Sequence, residues 1–342
     1  AEVVRETYRV FMYQPGKSLM IMNTFAMHDD NSKTGVRQRV GYFNSNNGVF
    51  LEKLGANVYF VLRSKTTGTV VDTRVLQSNW NKDTFTSNSY STQTGANFTA
   101  GLDVTKANIM WIDLEWLGVG DVRCGFVVDG RPIPAHVFHN ENVNYSTYMT
   151  TATLPLRYEI KNTIATTSNS VLKQICSSVI SEGGYERVTP MTVVRSTANV
   201  TISTSASFTP ILSVRLASDR LDSVLIPAQT NFFPTSADNF EIALIKNATL
   251  TGASYDTTSY TNIDVDKTAT ALTGGTMVRH EYVAATNQGV VPLNHLTGYN
   301  FEMQLGRTTG GVSDVLTLAA RVIKNTGTGT GMGSLSFYDL TN

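Results

Sequence analysis

From Asn108 to Gly130 the chain reads NIMWIDLEWLGVGDVRCGFVVDG, and its alternation leaves little choice of local structure. Met110, Ile112, Leu114 and Trp116 share one face of an extended strand, while Trp111, Asp113 and Glu115 share the other. Leu117 to Asp121 is rich in turn residues, and a second alternating run follows with Val122, Cys124, Phe126 and Val128 on one side. With Gly118-Val119-Gly120 as the loop, Trp116 falls opposite Val122, Leu114 opposite Cys124 and Ile112 opposite Phe126, so the two apolar faces coincide. Asp129-Gly130 reads as a two-residue hairpin turn that sets Ile133, Ala135 and Val137 across from Phe126, Cys124 and Val122. On the reverse face the same registers predict a row of Glu115, Arg123 and His136, with Asp113 beside Gly125.

Short apolar-alternating runs bounded by Gly, Asn, Asp, Ser and Pro recur throughout, among them Tyr8 to Tyr13, Ser18 to Ala26, Val58 to Arg63, Val70 to Leu76, Leu156 to Lys161, Met191 to Arg195, Ile211 to Leu216 and Phe240 to Ile245. Sustained helical periodicity is missing. The fold class is therefore all-β, as two tandem antiparallel β-sandwiches of the jelly-roll kind. A boundary near Ser181-Glu182-Gly183-Gly184 predicts a first domain over residues 1–186 and a second over 187–342. The polar segment Asp83 to Ala100 reads as an exposed insertion, and Asn325 to Gly331, alternating Gly with Thr, as a mobile loop before a final strand Ser334 to Tyr338.

Across 342 residues, 27 Lys and Arg balance 27 Asp and Glu. A net charge of zero supplies no basic field for nucleic acid or anionic lipid. No apolar run approaches the roughly eighteen residues of a membrane helix, which points to a soluble chain. The start at Ala1 carries neither Met nor a leader, consistent with Met removal, processing or an omitted beginning. Cys124 and Cys176 each sit in an apolar alternating segment and read as buried free thiols.

The chemistry-bearing candidates are few. His136 and His139 are three residues apart on a strand, so they face opposite ways and do not share a metal. Asn262 to Asp266 alternates like a strand, not a calcium loop. No Ser-His-Asp set, CxxC pair or phosphate loop can be read, and no cofactor is expected. Four Asn-x-Ser/Thr sites, at Asn97, Asn144, Asn199 and Asn247, fit the frequency of Asn and Thr.

Trp111-Ile112-Asp113-Leu114-Glu115-Trp116-Leu117-Gly118 resembles the active-site strand of concanavalin-like β-glucanases, where three acids alternate on one face. The resemblance implies that Asp113 is the assisting carboxylate and Glu115 the acid/base, but Trp111 stands where the nucleophile belongs. Retaining hydrolysis needs two carboxyl groups about 5 to 5.5 Å apart, one attacking and one protonating, so an active hydrolase is disfavoured. Two readings of the row stay open. One is a solvated sheet face with a Glu115–Arg123 cross-strand pair; the other is a glycan floor in which Trp111 stacks on a sugar ring beside Asp113, Glu115, Arg123 and His136. Trp80, with Asn79 and Asn81, is a further candidate contact or a core residue.

Beyond this strand, Tyr13-Gln14-Pro15-Gly16-Lys17-Ser18, Arg39 to Phe43, Gly48 to Glu52, Gln77 to Asp83, Leu102 to Ala107, Tyr148 to Ala152, Leu156 to Ile160 and Ile175 to Tyr185 are similar, in order, to virion structural proteins of large tailed phages of marine bacteria, especially contractile-tailed cyanophages. Ala248 to Tyr255 and Ala271 to Thr276 extend the similarity more loosely. The resemblance implies a non-enzymatic particle component: a head decoration or fibre, or a neck, tail or baseplate part. Its expected partners are other virion proteins and further copies of itself, a trimer by preference, with the segment through Tyr13 as a tether. A host-attachment adhesin that binds surface glycan is the alternative.

Overall fold

The computed structural model describes residues 1–28, 33–86, 101–115, 120–166, 168–183, 191–204, 206–284, 291–293, 303–324 and 327–341. The chain divides into two compact units, Ala1–Tyr185 and Glu186–Asn342. The first contains β1 (Glu2–Glu6), β2 (Ser18–Ala26), β3 (Val36–Phe43), β4 (Gly48–Leu54), β5 (Asn57–Ser64), β6 (Val71–Leu76), β7 (Asn108–Glu115), β8 (Val122–Val128), β9 (Arg131–Phe138), β10 (Leu156–Asn162) and β11 (Lys173–Ser181). They form a six-stranded antiparallel sheet, β1-β10-β3-β4-β5-β6, and a five-stranded one, β11-β2-β7-β8-β9. Between the sheets lies a core drawn from both: Leu19, Ile21 and Phe25 meet Val40, Tyr42, Leu51 and Phe60, with Met110, Ile112, Leu114, Cys124 and Phe126.

Trp80 belongs to this core, not to a surface. It is 4% exposed, stacks with Phe126, packs tilted against Phe60 at 4.7 Å, and its indole N–H donates to the Val75 carbonyl at 3.2 Å. The hairpin turn forms at Asp129-Gly130, where both residues take positive φ (49° and 77°), as the tight turn between right-twisted strands demands. Two expectations change here. The run from Tyr8 to Tyr13 is not a strand; it carries only isolated bridge residues, Arg9 and Phe11, the latter paired with Leu154. Cys176 is exposed, not buried, because β11 is the edge of its sheet, while Cys124 is buried as read.

The outer face of the six-stranded sheet carries a chain of ion pairs. Arg39 lies directly between Glu159 and Glu52 in the strand register, and its guanidinium meets them at 3.4 and 2.7 Å. Glu159 also holds Arg37 and Arg157, and Glu52 holds Arg74, which reaches on to Asp72 and so to Arg63. Glu6 on β1 closes the far end through Arg157. Arg39 and Arg63 also lie over the Phe50 ring at 5.0 and 5.2 Å, so the guanidinium planes shield an aromatic patch.

The second unit contains β12 (Met191–Arg195), β13 (Val200–Ser203), β14 (Thr209–Leu216), β15 (Leu225–Pro234), β16 (Phe240–Lys246), β17 (Thr249–Thr251), β18 (Tyr255–Asp256), β19 (Ile263–Asp266), β20 (Ala271–Thr273), β21 (Thr276–Val283), β22 (Val291–Leu293), β23 (Val315–Val322) and β24 (Thr328–Asp339). One sheet runs β12-β24-β15-β22 with β13 also on β24, another β18-β19-β14-β23-β16-β21, and β17 pairs β20.

The stretch read as a mobile loop is corrected in part: residues 325–326 lie outside the described residues, but β24 already begins at Thr328. Gly329, Gly331 and Gly333 fall on alternate positions of that strand. A Cβ would come 2.8 Å from Phe240 at the first, 2.4 Å from Phe232 at the second and 2.6 Å from Leu318 at the third. The glycines therefore make room for core side chains. Of the expected insertion, residues 87–100 lie outside the described residues.

No helix among the described residues is long and apolar enough to cross a membrane. Two stability outcomes follow from this packing. Gly331→Ala forces a methyl against the Phe232 ring and should cost about 1–3 kcal/mol, read as a lower calorimetric transition. Arg39→Met strips a counterion from two buried glutamates and should cost about 3 kcal/mol, followed by tryptophan fluorescence, since Trp80, Trp111 and Trp116 all fall in the first unit. Burial pushes Glu159 and Asp72 up, yet the surrounding guanidinium groups outweigh it and hold both below the usual carboxylate range. Carboxylates depressed on folding stabilise above their unfolded pKa and lose that contribution as pH falls through the folded one. Unfolding should thus ease below about pH 4, and Arg39→Met should flatten that acid limb.

Candidate functional site

β7 and β8 pair with Met110 opposite Phe126, Trp111 opposite Gly125, Ile112 opposite Cys124, Asp113 opposite Arg123 and Leu114 opposite Val122. The faces are as expected, but the register is displaced by two residues, so Asp113 rather than Glu115 faces Arg123. The cause is the size of the indole. Gly125 offers the one side-chain-free position on β8, and a Cβ there would come 2.9 Å from the Trp111 ring and 2.0 Å from the Ile133 carbonyl. Trp111 takes that space and its N–H donates to the Phe126 carbonyl at 3.3 Å. Trp116 and the loop residues through Val119 lie outside the described residues.

β9 departs further. It follows the expected register from Val128–Arg131 to Gly125–Pro134, then shifts by one residue, so that Cys124 faces His136 and Val122 faces Phe138. Ala135 is the extra residue, and its carbonyl leaves the ladder to accept the amides of Lys82 and Asp83 at 3.0 Å each. A shift of one residue moves a side chain to the other face. His136 thereby leaves the expected row for the side of Cys124, where it is 6% exposed, meets Phe138 edge-on at 4.5 Å, and accepts the Asn81 amide on Nδ1 at 3.3 Å. Burial, reinforced by His139, pulls its pKa down to about 4, so the ring is neutral at pH 7.

What remains together is Asp113, Arg123 and Glu115. Arg123 bonds Asp113 Oδ2 and reaches Glu115 Oε1 at 3.2 Å. The expected Glu115–Arg123 pair therefore exists, as the outer contact of a three-membered group. Asp113 is not solvated: it is 4% exposed, and its Oδ1 has no hydrogen-bond partner among the described residues. Burial raises its pKa, with Arg123 opposing and Glu182 adding to the rise. Glu115 is the accessible acid, and its backbone carbonyl accepts the Tyr148 hydroxyl. Trp111, 6% exposed, presents no open ring face on which a sugar could stack. No group of three or more His, Cys, Asp or Glu among the described residues is placed to hold a metal.

No family model matches the chain, and no curated protein matches it either. Solved structures similar to it include the botulinum neurotoxin serotype D ligand binding domain in complex with N-acetylneuraminic acid, at 9% identity and a TM-score of 0.30, over 94% of this chain and 81% of that one. The serotype D binding domain aligns at 9% identity and a TM-score of 0.29, over 94% and 87%. Superpositions this loose carry no argument about what the chain does.

Arg123→Met should leave the Asp113 carboxylate buried and unpaired, at a cost of about 1–3 kcal/mol in urea unfolding at neutral pH. Adding Asp113→Asn should recover most of that loss in a double-mutant cycle. For Arg123→Met alone the deficit should shrink as pH falls toward the carboxylate range, because protonation removes the buried charge.

Proposed function

We propose that the chain is a non-enzymatic structural subunit of a phage virion, assembled in the host cytoplasm and present as a homo-oligomer, a trimer by preference. The sequence resemblance to virion proteins of large tailed phages supports the class. The structural observation that carries the assembly reading is β1. All five of its residues are exposed, Val3 and Val4 to 64% and 39%, and among the described strands it pairs with β10 alone. An exposed edge strand with apolar side chains is a template for another chain's sheet.

The acids of β7 support the non-enzymatic part. Asp113 is engaged by Arg123 behind a buried indole, and Trp111 occupies the position that the glucanase resemblance gives to a nucleophile. The same burial weakens the attachment reading at this row, since its stacking surface is closed.

The tether, on this reading, is β1 and not the whole segment through Tyr13, because Val10, Met12 and Tyr13 are buried. Deletion of Ala1 to Glu6 should leave a chain that folds, with its fluorescence transition nearly unmoved, but that is missing from purified particles by mass spectrometry. Incorporation at the full-length level would overturn the reading.

A further inference from the structure

We infer that the first unit carries a separate binding cleft for a single neutral pyranose ring, at the end of the β8–β9 hairpin and apart from the acidic row. The inference is independent of the virion reading. A cleft of about 200 Å³ opens there, with Leu62 and Phe138 as apolar lining and His139, Asn144, Ser146 and Thr147 among its polar groups. That volume is below the roughly 300 Å³ at which drug-sized sites begin, and suits one sugar ring.

The polar groups are held from behind. Asp121 accepts from the Asn140 amide through Oδ1 at 2.7 Å and binds His139 Nδ1 through Oδ2 at 2.7 Å. Asn140 in turn accepts the Asn144 side-chain amide at 3.0 Å and donates to the Ser146 carbonyl at 3.5 Å. The supports are thus spent, as are the Ser64 and Thr66 hydroxyls of the lining, which bond each other at 3.0 Å, and the Tyr148 hydroxyl, which donates to the Glu115 carbonyl. Among the described residues, His139 Nε2, Asn144 Oδ1, Ser146 Oγ and Thr147 Oγ1 take no hydrogen bond. Bracing by Asp121 leaves Nε2 as the ring atom offered to a ligand.

The chemistry of the lining selects the ligand class. No Asp, Glu, Lys or Arg is among the described lining residues, and both Asp121 oxygens are engaged, so neither a cation nor an anion finds a charged partner. A carbonyl oxygen, two hydroxyls and an imidazole nitrogen around an apolar lining match the alternating hydroxyls and C–H patches of a pyranose.

Saturation-transfer NMR on the full chain tests this with methyl α-glucopyranoside, methyl α-galactopyranoside, methyl α-mannopyranoside and N-acetylglucosamine at millimolar concentrations. At least one should receive saturation, and Thr147→Val and Asn144→Ala should each weaken it by about tenfold. Thr147→Val conserves shape, so an unchanged thermal transition separates lost binding from lost folding. Silence for all four probes overturns the inference, as does binding that both variants leave intact.

Discussion

A strand shows alternate residues to opposite faces, so a slip of two residues in pairing preserves every face and a slip of one reverses it. Against the registers expected from the sequence, strands β7, β8 and β9 of the first unit show one of each. Between β7 and β8 the pairing lies two residues from the register that the loop suggests, and Met110, Ile112 and Leu114 still enter the core with Cys124 and Phe126. Between β8 and β9 a single extra residue, Ala135, turns His136 from the reverse face to the side of Cys124. The composition of the candidate site follows from these two displacements.

Local periodicity was enough to read Ser18 to Ala26 as a strand, to place the Asp129-Gly130 turn and to assign the fold class. It was not enough for pairing. The register of β7 on β8 depends on which side chain claims the space above Gly125, and an indole needs that space more than the carboxylate of Asp113 does. Size could have arbitrated from sequence. The bulge could not have been read, because it answers to the amides of Lys82 and Asp83, more than fifty residues away in sequence. Burial of Asp113 and Trp111 was equally hidden, since alternation says which face a residue takes but not what lies over that face.

Composition alone does not say where a residue sits. The Thr-Gly stretch looked flexible, yet glycine on every second position of a strand is a device for close approach, here to Phe240, Phe232 and Leu318. The balance of 27 acids and 27 bases says nothing of where they lie, and on the six-stranded sheet they alternate across strands as Glu159, Arg39 and Glu52. Arg39 and Glu159 are 120 residues apart in sequence. The pairing on this sheet is a local arrangement, enforced because each of these buried charges is tolerable only beside its opposite.

That arrangement bears on where a ligand could act. On the six-stranded sheet Arg39, Arg74 and Arg157 are committed to Glu52, Asp72 and Glu159, and on β7 and β8 Arg123 is committed to Asp113 and Glu115, while uncommitted hydrogen-bonding groups line the cleft at the end of the β8–β9 hairpin. The bulge places them there. Without the extra residue at Ala135, Val122 would face Val137 and Asp121 would face Phe138, an apolar ring with nothing to offer a carboxylate. With it, Val122 faces Phe138, the next pair along brings Asp121 to His139 at 2.7 Å, and the adjoining Asn140 amide closes on the same carboxylate. One inserted residue therefore takes His136 out of the expected row and builds the brace behind the cleft.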